Sequence, residues 1–168
     1  MGFKKRVKMA FAHRSTLLEM SIKQFKMKYS GSMLGIWWAV ISPLILAISI
    51  NFIFTNVFNV GIKNFTIFVL SGIIPWLLFS NALSEGAGSF VVSTSLLKQA
   101  TFPREFIPLS SLAANFLNFI IGLAILLPLF TAANPKTIFF LLFLPLVIIL
   151  YFLFTAGLVM LFSSLNVF

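Results

Sequence analysis

FIPLSSLAANFLNFIIGLAILLPLF, residues 106–130, runs for 25 residues without a charged side chain. A helix rises about 1.5 Å per residue and the hydrocarbon core of a bilayer is about 30 Å thick, so roughly 20 apolar residues suffice to cross it. The run is continuously apolar, without the alternation of a barrel strand, and a helix satisfies its own backbone in lipid. The charge-free window around it extends over 106–135, and three others match it, 29–62, 64–84 and 137–168. Spans are therefore expected at 35–56, 65–83, 106–130 and 138–162. The expected fold is an all-α integral membrane protein, with an N-terminal amphipathic interfacial helix in 1–30 and four transmembrane helices in 31–168.

The composition agrees. Of 168 residues, 60% are hydrophobic and 9% charged, against about 45–50% and about 25% in soluble domains. With 22 Phe in so short a chain, too little interior exists to hide the apolar surface from water. Cysteine is absent, which excludes disulfides and thiolate metal sites, and the one histidine, His13, makes no metal cluster by itself.

Twelve Lys and Arg against three acids give a net charge of +9. Such an excess could mark a nucleic-acid partner, but its placement points elsewhere. Eight of the bases precede Tyr29, beside the single acid Glu19, a pattern suited to anionic lipid headgroups. A cytoplasmic N-terminus puts those eight with Lys98 and Arg104 on the inner side and leaves Lys63 and Lys136 outside, ten bases against two. That asymmetry sets the expected orientation. The loop 85–105 is then cytoplasmic, and the loops around Lys63 and Lys136 are short and external.

Before the first span, Phe3, Val7, Phe11, Leu18, Ile22, Phe25 and Tyr29 recur at helical spacing, with Lys, Arg, Gln and Ser between them. The apolar face of this helix is expected to sink into the headgroup boundary while Lys4, Lys5, Lys8, Lys23 and Lys26 reach lipid phosphates. A basic start followed by an amphipathic stretch is not the pattern of a cleavable signal peptide. Pro43, Pro75, Pro128 and Pro145 interrupt the apolar runs and are expected to bend helices, Pro75 being the best candidate for a functional bend. Gly31 and Gly35 form a GxxxG at the membrane edge that fits a turn or helix packing as well as dimerisation.

Catalytic constellations are missing. Glu19, Glu85 and Glu105 all fall at one face with nothing in their spacing to pair them, and a serine triad would have to recruit His13 without a nucleophile elbow. No Walker-type phosphate loop occurs, so ATP is not bound by this chain in that way. The centres of the spans hold no ionisable group of the kind that ion-driven carriers use.

The polar segment SEGAGSFVVSTSLLKQATFPRE, residues 84–105, is longer than a helix hairpin needs. Ser93, Thr94 or Ser95 can cap a short helix through Leu96, Leu97 and Lys98 that Pro103 stops. Lying along the membrane with Leu97 and Phe102 outward, it would suit the groove of a cytosolic partner, with Arg104 and Glu105 either pairing there or marking the membrane boundary.

Three stretches carry a family resemblance. KYSGSMLGIWW (28–38) leading to Pro43, SGIIPWLLFSNALSEG (71–86) and FPREFIPL (102–109) resemble the permease subunits of type 2 ABC transporters that export polysaccharide, the O-antigen, capsule and teichoic-acid exporters. LNVF at 165–168 is similar to the start of that family's next cytoplasmic motif. Such permeases carry six spans, so the chain is expected to be a fragment of a longer reading frame.

The resemblance implies a homodimeric, non-enzymatic permease in the bacterial cytoplasmic membrane, paired with two copies of a separate ABC ATP-binding subunit that alone holds ATP and Mg. Leu96, Leu97, Lys98, Phe102, Pro103, Arg104 and Glu105 are similar to the coupling segment that receives the ATPase's motion. The implied substrate is an undecaprenyl-diphosphate-linked glycan. Its diphosphate suits Arg14, Lys26 or Lys28, its sugars suit the rings of Trp37, Trp38 and Trp76, and Tyr29 is a further substrate or headgroup contact, although interfacial anchoring is the better explanation of any single Trp. A permease for a drug or lipid, and a non-transporting membrane scaffold, are the competing readings.

Overall fold

The computed structural model describes residues 14–56, 61–62, 64–92, 105–133, 135 and 138–166. They form helix α1 (Arg14–Tyr29), a 3-10 turn (Gly35–Trp37), α2 (Trp38–Asn56), α3 (Phe65–Val92), α4 (Phe106–Ala133), a single turn α5 (Ile138–Leu141) and α6 (Leu144–Leu165). Four stretches are long and apolar enough to cross a membrane: Gly35–Asn56, Phe65–Phe90, Phe106–Ala133 and Leu144–Leu165. The all-helical fold with four spans and a preceding helix is as expected.

The packing follows helical spacing. Leu70, Ile74, Leu78 and Ala82 form one buried stripe along α3, and Leu112, Phe119, Leu123 and Leu126 face it from α4. Ala47 of α2 and Val159 of α6 close the core. Small residues let the helices approach. A Cβ on Gly122 would stand 3.0 Å from Ile74, and one on Gly86 would stand 2.5 Å from Val159. Outward-facing side chains are large and apolar, among them Ile45, Ile48 and Phe52 on α2 and Leu146, Leu150, Leu153 and Leu161 on α6. That distribution suits a solvent of lipid chains, where helices associate by close packing without a hydrophobic gain.

Buried hydroxyls are satisfied within their own helices. Ser89 donates to the Gly86 carbonyl, Ser110 to Ile107, Thr155 to Tyr151 and Ser163 to Met160. One bond crosses the middle of the bundle, from the Tyr151 hydroxyl to the Pro75 carbonyl at 2.7 Å.

Three expectations change in detail. The second span was expected to end at residue 83, yet α3 continues to Val92, so the first eight residues of the loop 85–105 are helical. Small residues, Gly86, Ala87, Gly88 and Ser89, carry the helix on to Phe90, Val91 and Val92. The fourth span was expected to start at residue 138, whereas the chain makes one turn at Ile138–Leu141 and begins its long helix at Leu144, with Pro145 in its first turn. There the missing N–H costs nothing, so this proline starts a helix and does not bend one. Pro43, Pro75 and Pro128 all lie inside continuous helices.

Gly31 and Gly35 are resolved as a turn. Their φ angles are +89° and +51°, and a Cβ on either would touch nothing, so backbone conformation and not helix packing requires glycine at both.

The close approach at Gly86 yields a stability prediction. Val159 is fully buried and stiff at χ1. Gly86→Ala is expected to cost about 1–3 kcal/mol by overpacking, read as a lower thermal midpoint in detergent. Adding Val159→Ala should recover part of that loss.

Candidate functional site

α1 meets the bundle through polar side chains. Its packed face carries Leu17, Ser21, Gln24, Phe25 and Tyr29, at helical spacing. Phe25 and Tyr29 belong to the apolar stripe read from the sequence, and their rings meet edge to face at 5.4 Å. Leu18 and Ile22 of the same stripe point outward instead. The stripe therefore divides between the bundle and the surroundings, because polar partners on α4 decide which face docks.

The Gln24 amide donates to the Ser110 hydroxyl at 2.8 Å, and the Tyr29 hydroxyl donates to Asn118 at 2.6 Å. Between them, Lys28 Nζ donates to Glu85 Oε1 at 2.7 Å and to Asn115 Oδ1 at 2.6 Å. The Asn115 amide closes the ring by donating to Glu85 Oε2 at 2.9 Å, and also to the Ser111 carbonyl at 3.0 Å. Three helices thus meet at one ion pair. The contacts advance along α1 and α4 in the same sense, so the second half of α1 follows α4.

The level of this clasp follows from helix length. Glu85 lies 20 residues beyond Phe65, the first residue of α3, or about 30 Å along the axis, one hydrocarbon thickness. A carboxylate there sits at the membrane boundary. Lys28 stays 22% and Glu85 41% exposed, so the pair is neither fully buried nor free in water. The Tyr29 hydroxyl is held above its ordinary range by burial, against the opposing effect of its bond to Asn118, with the Glu85 charge adding to the rise. It stays a neutral donor throughout the physiological range.

Beside the clasp is a cleft of about 210 Å³, lined by Tyr29, Trp38, Ser42, Asn81, Asn115 and Asn118 among apolar neighbours.

Of the residues singled out in the sequence, Tyr29 and Trp38 share this cleft, and Lys28 lies next to it through Asn115. Trp38 Nε1 donates to the Ser32 hydroxyl at 2.7 Å, across the glycine turn. Arg14 begins α1 and is exposed. Lys26 lies on the outer face of α1, in a shallow depression with Glu19, Ile22, Lys23, Met27 and Ser30. Trp37 and Trp76 are exposed and apart from the cleft. Glu105 stands half-buried just ahead of α4. Leu96, Leu97, Lys98, Phe102, Pro103 and Arg104 lie outside the described residues.

Sequence reading missed the acceptors that hold Lys28. Glu85 passed as one of three unpaired acids, and Asn115 and Asn118 were absorbed into an apolar run. Two amides three residues apart inside a membrane helix are the signal that was available, since such groups seek partners in lipid.

If the clasp holds α1 down, Lys28→Met should raise hydrogen exchange of the amides in 24–29 by about tenfold, the factor given by losing about 1.5 kcal/mol of charged hydrogen bonding. Exchange in α4 below Asn118 should be unchanged. Mass spectrometry of the detergent-solubilised chain reads both.

No family model matches the chain. Among characterised proteins it is similar to two O-antigen export system permease proteins, RfbA, from Klebsiella pneumoniae, at 33% and 31% identity over 153 residues, 90% of this chain and 59% of each relative. An RfbA of the same description from Myxococcus xanthus is 28% identical over 161 residues, 96% of this chain and 62% of its own length. The chain spans about three-fifths of the length of these relatives. The similarity to O-antigen export system permeases thus runs over nearly the whole of this chain, including its four helices of membrane-spanning length.

Proposed function

We propose that this chain forms part of the membrane permease of an ABC exporter that moves a lipid-linked glycan across the bacterial cytoplasmic membrane. The observation that carries the reading is the similarity to O-antigen export permeases over 90% of the chain, joined to four apolar helices of spanning length. Energy comes from ATP hydrolysed by a separate ATP-binding subunit, two copies of which serve a permease homodimer. The N-terminus faces the cytoplasm, on the ten-to-two distribution of basic residues.

In this reading, residues 96–105 receive the closing motion of the ATPase and pass it to the ends of α3 and α4, which flank them. The substrate is a glycan on undecaprenyl diphosphate. Arg14 and Lys26, exposed on α1, suit anionic headgroups and the substrate's diphosphate. Lys28 is committed to Glu85, so its contribution to a diphosphate would require that pair to open. Tyr29 and Trp38 meet in the polar cleft and suit sugar hydroxyls and ring faces. Trp37 and Trp76, outward in the described chain, suit the membrane interface or a sugar path completed by further spans.

Co-purification tests the reading. The full-length permease should retain its ATP-binding subunit, and Arg104→Ala with Glu105→Ala should weaken retention by about tenfold, the effect of losing about 1.4 kcal/mol. Retention unchanged by the double substitution removes the coupling segment from this role. An external reporter signal from fusions near Lys98 overturns the orientation.

A further inference from the structure

We propose that Lys28, Glu85 and Asn115 form the joint through which movement of α3 is passed to α1, making Lys28 and Glu85 positioning residues of the transport cycle; this rests on the reading of the chain as an ATP-driven permease. α3 and α4 are the two helices that enter and leave the segment between residues 92 and 105. Glu85 lies seven residues, about 10 Å, before the end of α3. A displacement of that end therefore reaches Glu85 through two turns of continuous helix. Both carboxylate oxygens of Glu85 are engaged, one by Lys28 and the other by Asn115. Two anchored oxygens restrict rotation of α3 as well as translation.

The division of contacts supports this role over simple docking. Gln24 and Tyr29 tie α1 to α4 alone. Among the described residues, Lys28 supplies the polar link from α1 to α3. Removing the pair thus leaves α1 attached to α4 but uncoupled from α3. The connection from α1 to α2 is a turn with left-handed glycines and not a continuous helix, so α2 does not dictate the direction of α1. Partial exposure of both charges lets the joint open and re-form without the cost of stranding a buried ion.

The test uses the full-length permease with its ATP-binding subunit in liposomes. Spin labels go on Lys23→Cys of α1 and Leu161→Cys of α6, both exposed positions, in a Cys-free background. Pulsed dipolar distances are compared without nucleotide and with ATP bound. The distance is expected to change with ATP in the parent. The change should shrink in Lys28→Met and in Glu85→Gln, where α1 follows α4 alone, and return in full in the charge swap Lys28→Glu with Glu85→Lys, where the Asn115 amide can turn to serve either charge. Transport per ATP hydrolysed should fall by about five- to hundredfold in the single variants and recover in the swap. A parent whose distance ignores ATP, or single variants that keep the full change, overturns the proposal. Loss of the joint alone leaves assembly and ATP hydrolysis in place, whereas a permease that never retains the ATPase overturns the underlying reading before any distance is measured.

Discussion

Lipid chains offer no hydrogen bonds, so every polar group that enters the membrane must find its partner in protein. The helices meet this demand along their backbones, and buried Ser and Thr meet it by bonding to carbonyls three or four residues back in their own helix. Among the described residues, the groups that look beyond their own helix include Glu85 on α3, and Asn115 and Asn118 on α4. Lys28 and Tyr29 of α1 supply the missing donors. The position of α1 is thus the answer to a solvation problem posed by the spans, and this explains why a polar face docks while Leu18 and Ile22 turn away.

How much of this was legible from the residues depended on range. The spans were readable because Lys63, Glu85, Glu105 and Lys136 delimit them, and charge is costly in hydrocarbon. Helix ends were less so: the Ser-Gly-Ala stretch after Glu85 forms helix beyond the apolar run, where hydropathy no longer reports on conformation. Pro145 was ambiguous because the same ring that breaks a helix interior fits a first turn. The clasp was not readable, since its partners are 57 and 87 residues apart and each has a sufficient local explanation, a lysine for lipid and a glutamate for the boundary. Family resemblance reached the permease class directly, and to the substrate contact it implied for Lys28 the structure adds a protein partner, Glu85.

The juxtaposition of clasp and cleft sharpens the chemistry of the region. Charge is neutralised at Lys28 and Glu85, while the adjoining space is lined by amides, a phenol and an indole. Such a lining favours uncharged hydroxyl-bearing groups over anions. The exposed cations of α1 lie on its opposite side. Exposed positive charge and neutral polar surface are therefore separated by the thickness of one helix.

The crosswise bonds are unevenly spread. Gln24, Lys28, Tyr29 and Asn115 knit the end of the bundle that carries Glu85, as does Asn166 through the Ala87 carbonyl. Tyr151 adds one stitch at mid-depth. Among the described residues, the opposite end, toward Asn56, Phe65 and Ala133, is joined by apolar surfaces alone. Surfaces of that kind slide without breaking anything directional, so the molecule resembles tongs gripped at the handle: stiff at the end that carries the crosswise bonds, compliant at the tips.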